Sequence, residues 1–338
     1  MNEATNPQAG GDPNASSVVF DIGYQRYAGP REGRRRARLA VYKDGVRKAL
    51  GLGRGAKTKL LPWAFISITI VIGIIMAVTA GVGQRTLGDV GGELAPGTSH
   101  RFFFELSITI LFVFAALVAP RLLCPDRRNG TLHLYLVRPV TATDYVEARW
   151  AAFLTVMVLV AWLPQVVLFL GRVLGHPDPM AYLERSWTDA PKFLLSGVVI
   201  AAMVTTVSML ASALTPRRGY ASVLLIALYL IPGAVTSPLA VLPQFEWIAV
   251  FDLGEILRET NTMVFNGAAP ATDGIAQPEP GAGSAAAEIV QAEFGAESPF
   301  GSETARARFS ATFLLAAYFG WLFAAGGILW TYYRRLTL

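Results

Sequence analysis

Long apolar stretches alternate with short polar segments along most of this chain. A helix needs about 20 residues to cross roughly 30 Å of hydrocarbon, and six apolar stretches reach that length. They cover residues 61–83, 102–122, 151–171, 193–214, 220–242 and 309–333. The pattern predicts an all-α integral membrane protein with six transmembrane helices.

A few positions within these stretches depart from the apolar pattern. Pro120 and Arg121 are expected to end the second span. Glu105 lies near the start of that span, where an ionisable group either serves a transport pathway or pairs with Arg101 at the water interface. Pro232 and Pro238 could interrupt the fifth span and line such a pathway, although proline is common in membrane helices.

The chain before the first span divides into a polar tail and a basic segment. Residues 1–17 predict a disordered tail, and residues 18–60 form a basic amphipathic segment. Within it, residues 34–50 predict a helix whose apolar positions share one face: Leu39, Tyr42, Val46 and Leu50. We expect this helix to lie along the membrane surface, with its cations near anionic headgroups.

Composition and charge give this picture an orientation. Only 16% of the 338 residues are charged, against about 25% in a soluble domain. Residues 1–60 hold 12 Lys/Arg and 5 Asp/Glu, whereas residues 241–311 hold 3 Arg and 10 Asp/Glu. The excess of cations before the first span predicts a cytoplasmic amino terminus. Six spans then return the carboxyl terminus to the same side, and the charge pattern favours a membrane over nucleic acid as the partner.

The segment at 241–310 is predicted to be a long external loop between the fifth and sixth spans. Residues 251–265 have the pattern of a short amphipathic helix. Residues 267–302 are rich in Ala, Gly, Pro and Glu and predict a flexible loop. The remaining residues, 311–338, hold the sixth span and a short cytoplasmic tail.

Residues 51–58, GLGRGAKT, come within one residue of a phosphate-binding loop. Ala56 occupies the position of the second glycine, and a membrane helix follows a basic segment where a strand should precede the loop. We therefore expect no ATP site in this chain. Cys124 is the only cysteine and the three histidines lack ligand spacing, so no bound cofactor or metal is expected.

The polar connection at 121–150, within the five-span region 61–240, is the most informative stretch. Its sequence from 126 to 149 is DRRNGTLHLYLVRPVTATDYVEAR. Gly130 predicts a turn, and Thr141 or Thr143 could cap a helix that begins near Asp144 and continues into the third span. On this pattern alone, the stretch could be an ordinary connector.

The same stretch resembles the first cytoplasmic loop of type-2 ABC-transporter permeases. The matching positions are Asp126, Arg127, Gly130, Thr131, Leu136, Arg138, Pro139, Asp144 and Tyr145. The opening run FDIGYQRYAGPREGRR also resembles the start of a permease subgroup, with Tyr24, Tyr27, Gly29, Pro30 and Arg31 as the matching residues.

The resemblance implies a permease subunit that forms the export pathway, while a separate ATPase subunit uses the ATP. The residues expected to couple the two subunits are Asp126, Arg127, Gly130, Thr131, Leu136, Arg138 and Pro139. It also implies a homodimer or heterodimer of permeases, with no cofactor bound by this chain. A bacterial plasma membrane is the expected location.

Other functional classes stay open on the residues alone. An ion-coupled secondary transporter typically buries charged groups at the midplane and shows internal repeats, neither of which is visible here. A membrane enzyme needs a cluster of His, Asp or Glu near one face. A non-transporting membrane anchor could recruit a partner through its basic amino-terminal segment.

Overall fold

The computed structural model describes residues 33–53, 55–87, 99–130, 140–176, 178–239, 243–269 and 307–335. The predicted tail at 1–17 lies outside the described residues, as do the matching residues of the opening run (24–31) and nearly all of the predicted flexible loop. The same applies to four of the expected coupling residues, namely Thr131, Leu136, Arg138 and Pro139.

Ten α-helices make up most of the described chain. They are α1 (Arg34–Ala49), α2 (Ala56–Leu87), α3 (His100–Val118), α4 (Pro120–Arg128), α5 (Ala142–Gly175), α6 (Pro179–Ser186), α7 (Asp189–Leu214), α8 (Arg218–Leu239), α9 (Leu253–Asn266) and α10 (Ala311–Arg334). A 3-10 helix over Pro243–Phe251 precedes α9, and two short parallel strands, β1 (Ala268–Ala269) and β2 (Ala307–Ser310), pair before α10.

Six helical segments are long and apolar enough to cross a membrane, which confirms the predicted number. They are Lys59–Gly83, His100–Arg128, Ala142–Gly175, Asp189–Leu214, Arg218–Thr236 and Ala311–Arg334. The chain is thus a helical, multi-pass membrane protein. The predicted centres are right, but the second and third spans are longer than expected.

The prediction that Pro120 ends the second span is wrong. Ala119 keeps a helical backbone between α3 and α4, and Pro120 is the first residue of α4. Proline is tolerated in the first turn of a helix, where its missing N–H costs no helical hydrogen bond. The helical path therefore continues to Arg128, and the loop is shorter than the predicted 121–150.

The predicted cap of the third span is confirmed. The Thr141 hydroxyl accepts a hydrogen bond from the Asp144 backbone N–H (3.2 Å), and the Asp144 carboxylate accepts one from the Thr141 N–H (3.1 Å). This reciprocal capping box fixes the start of α5. The 34 residues of α5 measure about 51 Å at 1.5 Å per residue, well beyond the roughly 30 Å of hydrocarbon. Its first turns therefore extend beyond the apolar core.

A helix lies at Arg34–Ala49, where one was predicted, and packs against the first half of α5. Its buried stripe consists of Val41, Gly45 and Ala49. Gly45 permits close contact, because a methyl group at this position would lie 2.6 Å from the Cβ of Ala152. Only a glycine fits there without a shift of one of the helices.

The apolar face predicted for this helix is divided in the structure. Tyr42, Val46 and Leu50 are half-buried against the protein core, whereas Leu39 is 44% exposed. The apolar face is therefore turned mainly toward α5, since the α5 extension supplies apolar surface beside it. Contact of α1 with the membrane surface stays a prediction.

The bundle is centred on α7, of which about 67% of the span is buried, against 17% for α8. The helices α2 and α5 approach closely through small residues: a methyl group at Gly171 would lie 2.4 Å from the Cβ of Ala77. Small residues allow such close packing in a membrane, where no hydrophobic force drives helices together. The bundle is thus compact around α7, while α8 lies at its periphery.

The prolines expected to interrupt the fifth span do not break it. Helix α8 runs without a break through Pro232 and Pro238 to Leu239, and α5 likewise continues through Pro164. Neighbouring helices and local adjustments can compensate for the hydrogen bond that a proline removes.

The short amphipathic helix predicted after the fifth span is present as α9. It is folded into the far end of the bundle, opposite α1. The Asn261 side chain accepts a hydrogen bond from Ser196 (2.5 Å) and donates one to the Arg101 carbonyl (3.1 Å). Trp321 on α10 donates to the Val250 carbonyl just before α9 (2.6 Å). These contacts hold α9 against α3, α7 and α10.

Candidate functional site

Side chains from α1, α4 and α5 meet at the end of the bundle where α4 ends and α5 begins. We call this end the basic end. Asp126 on α4 is central. Its Oδ2 accepts hydrogen bonds from the Tyr145 hydroxyl (2.7 Å) and from Arg149 (3.0 Å) on α5. Its Oδ1 lies 3.4 Å from Lys48 Nζ on α1. With Asp44, these residues form the Arg149 cluster.

Arg149 is fully buried and lies between two carboxylates. Its Nη2 atom is 2.7 Å from Asp44 Oδ2 and 3.0 Å from Asp126 Oδ2, and its guanidinium lies over the Tyr145 ring. A buried cation is tolerated only when opposite charges and hydrogen bonds compensate for its lost hydration. Two carboxylates from different helices supply the opposite charge here, both at Nη2, so the cluster joins α1, α4 and α5.

Asp44 is the half-exposed member of the cluster, and its carboxylate pairs with Arg149. Its Oδ2 also lies 2.9 Å from Lys48 Nζ, one turn along α1. Partial burial by itself would raise the pKa of Asp44, but the cations of Lys48 and Arg149 outweigh it and hold the pKa below its usual value. Asp44 is therefore ionised at neutral pH, and the α1–α5 contact is electrostatic as well as apolar.

Arg127 connects the same end of α4 to two further helices. Its Nη1 donates to the Ala213 carbonyl at the end of α7, and its Nη2 donates to the Tyr332 hydroxyl on α10 (2.6 Å). The guanidinium also lies 5.2 Å from the centre of the Tyr332 ring. Asp126 and Arg127 are consecutive residues of α4, and their side chains contact different helices. Together they connect α4 to α1, α5, α7 and α10.

The first turns of α1 pair with the start of α5. Arg34 Nε lies 2.6 Å from Asp144 Oδ2, and Arg38 Nη2 lies 2.9 Å from Glu147 Oε2. The hydrogen bond to Asp144 raises the pKa of Arg34 above its ordinary value. These pairs are more exposed than Arg149 and so contribute less to stability. They align α1 along α5.

The structure describes three of the seven residues predicted to couple this chain to an ATPase. The side chains of Asp126 and Arg127 contact other helices of the same chain. Gly130 has a φ of +66° just after α4 ends, which confirms the predicted turn, because glycine adopts this left-handed conformation at no steric cost. Contact between these residues and a partner stays a prediction.

Sequence reasoning missed the Arg149 cluster as a unit. Its only sequence signal is spacing: Tyr145 and Arg149 are four residues apart, as are Asp44 and Lys48, so each pair shares one helix face. The spacing does not show that these two faces meet. That contact needs Gly45 and the extension of α5.

The residues predicted to line a pathway lie toward the far end. Glu105 pairs with Arg101, with 2.8 Å between Oε1 and Nε, and both side chains are mostly buried. Nearby on α9, Arg258 pairs with Glu255 at 2.9 Å. Burial alone would lower the pKa of Arg258, but the charge of Glu255 raises it above the ordinary value. Pro232 is half-buried on α8, and the side chain of Pro238 is outside the described part.

No protein-family model matches this chain, and no curated protein matches it either. The arguments for its function therefore rest on the sequence and on the contacts described above. Among these contacts, the Arg149 cluster joins residues that precede and residues that follow positions 131–139 in the chain.

Proposed function

We propose that the chain is the membrane-spanning permease subunit of an ATP-driven ABC exporter. In this proposal it forms the translocation pathway and couples to separate ATPase subunits. The observation that supports it best is the Arg149 cluster, since Asp126 begins the resembling stretch at 126–149 and Tyr145 and Arg149 lie at its end. Both ends of that stretch are thereby joined in one cluster.

A coupling element must transmit a partner's movement to the spans. A partner can shift the balance between two conformations only if it binds them with different affinity. Residues 131–139 connect α4 to α5, so a displacement of this segment by a partner would move both helices. Arg127 extends the connection to α7 and α10. The cluster therefore supplies the mechanical connection that coupling requires.

In this proposal the partner is an ATPase subunit that binds residues 131–139 from the cytoplasm. The basic end then faces the cytoplasm, with both termini on that side, in accordance with the positive charge of α1. The complex contains two permease chains, identical or related, in the plasma membrane of a bacterium. Asp126 acts in coupling by positioning the loop, because its own carboxylate is engaged within the chain.

The proposal is tested by purifying the tagged chain in mild detergent from its native cells and identifying the proteins that accompany it. We expect an ATP-binding subunit and ATPase activity. Asp126→Asn combined with Arg127→Gln should reduce both at least ten-fold in protein that remains inserted. Arg35→Gln, an exposed change on α1, is the control and should leave both within two-fold.

Recovery of the chain alone, without nucleotide-dependent activity, would contradict the exporter. It would favour the ion-coupled secondary transporter or the non-transporting anchor instead. Vesicles with an imposed proton or sodium gradient would then separate these two, because only a secondary transporter responds to the gradient.

A further inference from the structure

A second feature of the basic end is a cavity of about 820 Å³ between the end of α4 and the turn that joins α7 to α8. Its wall includes three arginines, together with Cys124, Asn129 and Pro216. We call the part formed by Arg128, Arg217 and Arg218 the arginine groove. It is separate from the Arg149 cluster, which faces α1 and α5.

Within the described part of the chain, no carboxylate pairs with the positive charge of the arginine groove. Among the described residues, none of the three guanidinium groups forms an ion pair with a carboxylate. Arg217 lies over the ring of Tyr220, a contact that carries no negative charge. Cys124, which also lines the cavity, has its Sγ 3.3 Å from the Thr215 carbonyl oxygen and 3.5 Å from that of Ser212, so its thiol is a neutral donor there. The groove is therefore suited to an anion.

The position of the groove along the membrane normal limits which kind of molecule can carry that anion. The second span ends at Arg128, the fourth ends at Leu214 and the fifth begins at Arg218. The groove consequently lies at the level where the apolar spans give way to polar surroundings. This is where lipid headgroups lie.

The surface next to the groove is apolar and open. Leu214 is 50% exposed, Tyr220 is 59% exposed and Val223 is 65% exposed. Tyr220 and Val223 lie within the first turns of α8, directly after Arg218. An occupant that uses both surfaces needs an anionic group joined to an apolar chain.

From this combination we infer that the arginine groove binds an anionic phospholipid, with its phosphate between the arginines and its acyl chains along α8. Guanidinium groups match phosphate oxygens in bidentate geometry, and basic pockets between membrane helices recognise such headgroups. A free phosphate ion would leave the apolar surface unused. The inference does not depend on the exporter proposal, since it concerns residues outside the Arg149 cluster.

The test uses the full chain purified in a neutral detergent. Thermal unfolding and native mass spectrometry are measured with added dilauroyl phosphatidylglycerol, dilauroyl phosphatidylcholine or inorganic phosphate. We expect phosphatidylglycerol to bind at least ten-fold more tightly than phosphatidylcholine and to raise Tm. Inorganic phosphate at the same concentration should leave Tm within 1 °C.

The groove variant Arg128→Gln/Arg217→Gln/Arg218→Gln should reduce phosphatidylglycerol affinity to within two-fold of that for phosphatidylcholine. A matched control, Arg35→Gln/Lys43→Gln/Arg47→Gln, also removes three exposed cations, but from α1, and should keep the preference. All six side chains are exposed, so Tm without lipid should change little. Arg217→Gln/Arg218→Gln serves as a second variant if the triple variant is poorly expressed.

Three results would overturn the inference. Equal loss of lipid preference in both triple variants would show attraction by net charge alone. An equal Tm shift with inorganic phosphate would identify an ion site without a lipid. Unchanged lipid binding in the groove variants, with loss of a co-purifying acidic protein, would make the groove a protein interface.

Discussion

Arg149 shows how one buried charge depends on residues from three helices. Asp44, Asp126 and Tyr145 all lie around its guanidinium. These three residues are far apart in the sequence, and only folding brings them together. Removing the cation leaves two carboxylates close together at the edge of a packed interface. Removing one partner of a buried pair typically costs about 3–5 kcal/mol.

We therefore expect Arg149→Met to destabilise the protein by about 3 kcal/mol, and Asp126→Asn to destabilise it less because the amide still accepts a hydrogen bond. Residues in one network do not act additively. The double variant should accordingly be more stable than the sum of the single effects implies. Thermal unfolding of the four proteins in one detergent measures this, and strict additivity would contradict a shared cluster.

The lowered pKa of Asp44 gives a pH dependence with a definite sign. Because its folded pKa lies below the ordinary value of about 4, ionised Asp44 stabilises the folded chain above that value. This contribution is lost as the pH falls through the folded pKa. The Tm difference between the wild-type protein and Asp44→Asn should be largest near pH 6–7 and shrink below about pH 4. A difference that is constant with pH would contradict the ion pair.

At the scale of elements, the arrangement of α1 depends on close packing with α5. The helix pattern at 34–50 predicted a helix and its apolar face. It did not point to Gly45, which has no side chain to form part of a pattern but lies where a methyl group would be 2.6 Å from the Cβ of Ala152. Helix propensity favours alanine over glycine by about 1 kcal/mol. From helix propensity alone, Gly45→Ala should stabilise the protein. From the close approach to Ala152, the same change should destabilise it.

We expect Gly45→Ala to destabilise the protein by about 1–3 kcal/mol, the usual cost of overpacking, and to make trypsin cleave faster within α1. Ala40→Leu, on the exposed side of α1, is the control and should change neither property. A gain in stability with Gly45→Ala would show that α1 does not lie on α5.

The same scale explains which sequence predictions of helix ends were right. The cap was predicted to be Thr141 or Thr143, because capping is local and can be read from the sequence, and the structure shows that it is Thr141. The end at Pro120 was misplaced, since a proline can stop one helix or start the next, and only its backbone neighbours decide which. Pro232 and Pro238 could have interrupted the fifth span, but α8 continues through both to Leu239.

For the whole molecule, the contacts place α1 and the end of α10 at one end of the bundle. Arg127 reaches Tyr332 on α10, and Arg34 reaches the start of α5. Helix α6 lies beyond the opposite end of α5. Residues on α1 and at the end of α10 should therefore be accessible from one side of a membrane, and residues on α6 from the other.

Single cysteines at Arg35, Arg335 and Trp187, in a Cys124→Ser background, test this arrangement in intact cells. With the cytoplasmic orientation predicted for α1, an impermeant maleimide should label only the cysteine at 187. Those at 35 and 335 should react only after permeabilisation. Labelling of positions 35 and 335 from different sides would contradict the six-span arrangement itself.

The sequence by itself determined the six spans, the start of α5 and the presence of α1 and α9. These depend on hydropathy, helical periodicity and capping, all of which act within a few residues or one helix. Only the tertiary structure decided that Asp126 and Arg127 turn inward, that α1 docks through Gly45, and that Arg149 joins three helices. Such contacts depend on which faces of separate helices meet, and they join residues from 19 to 205 positions apart in the chain.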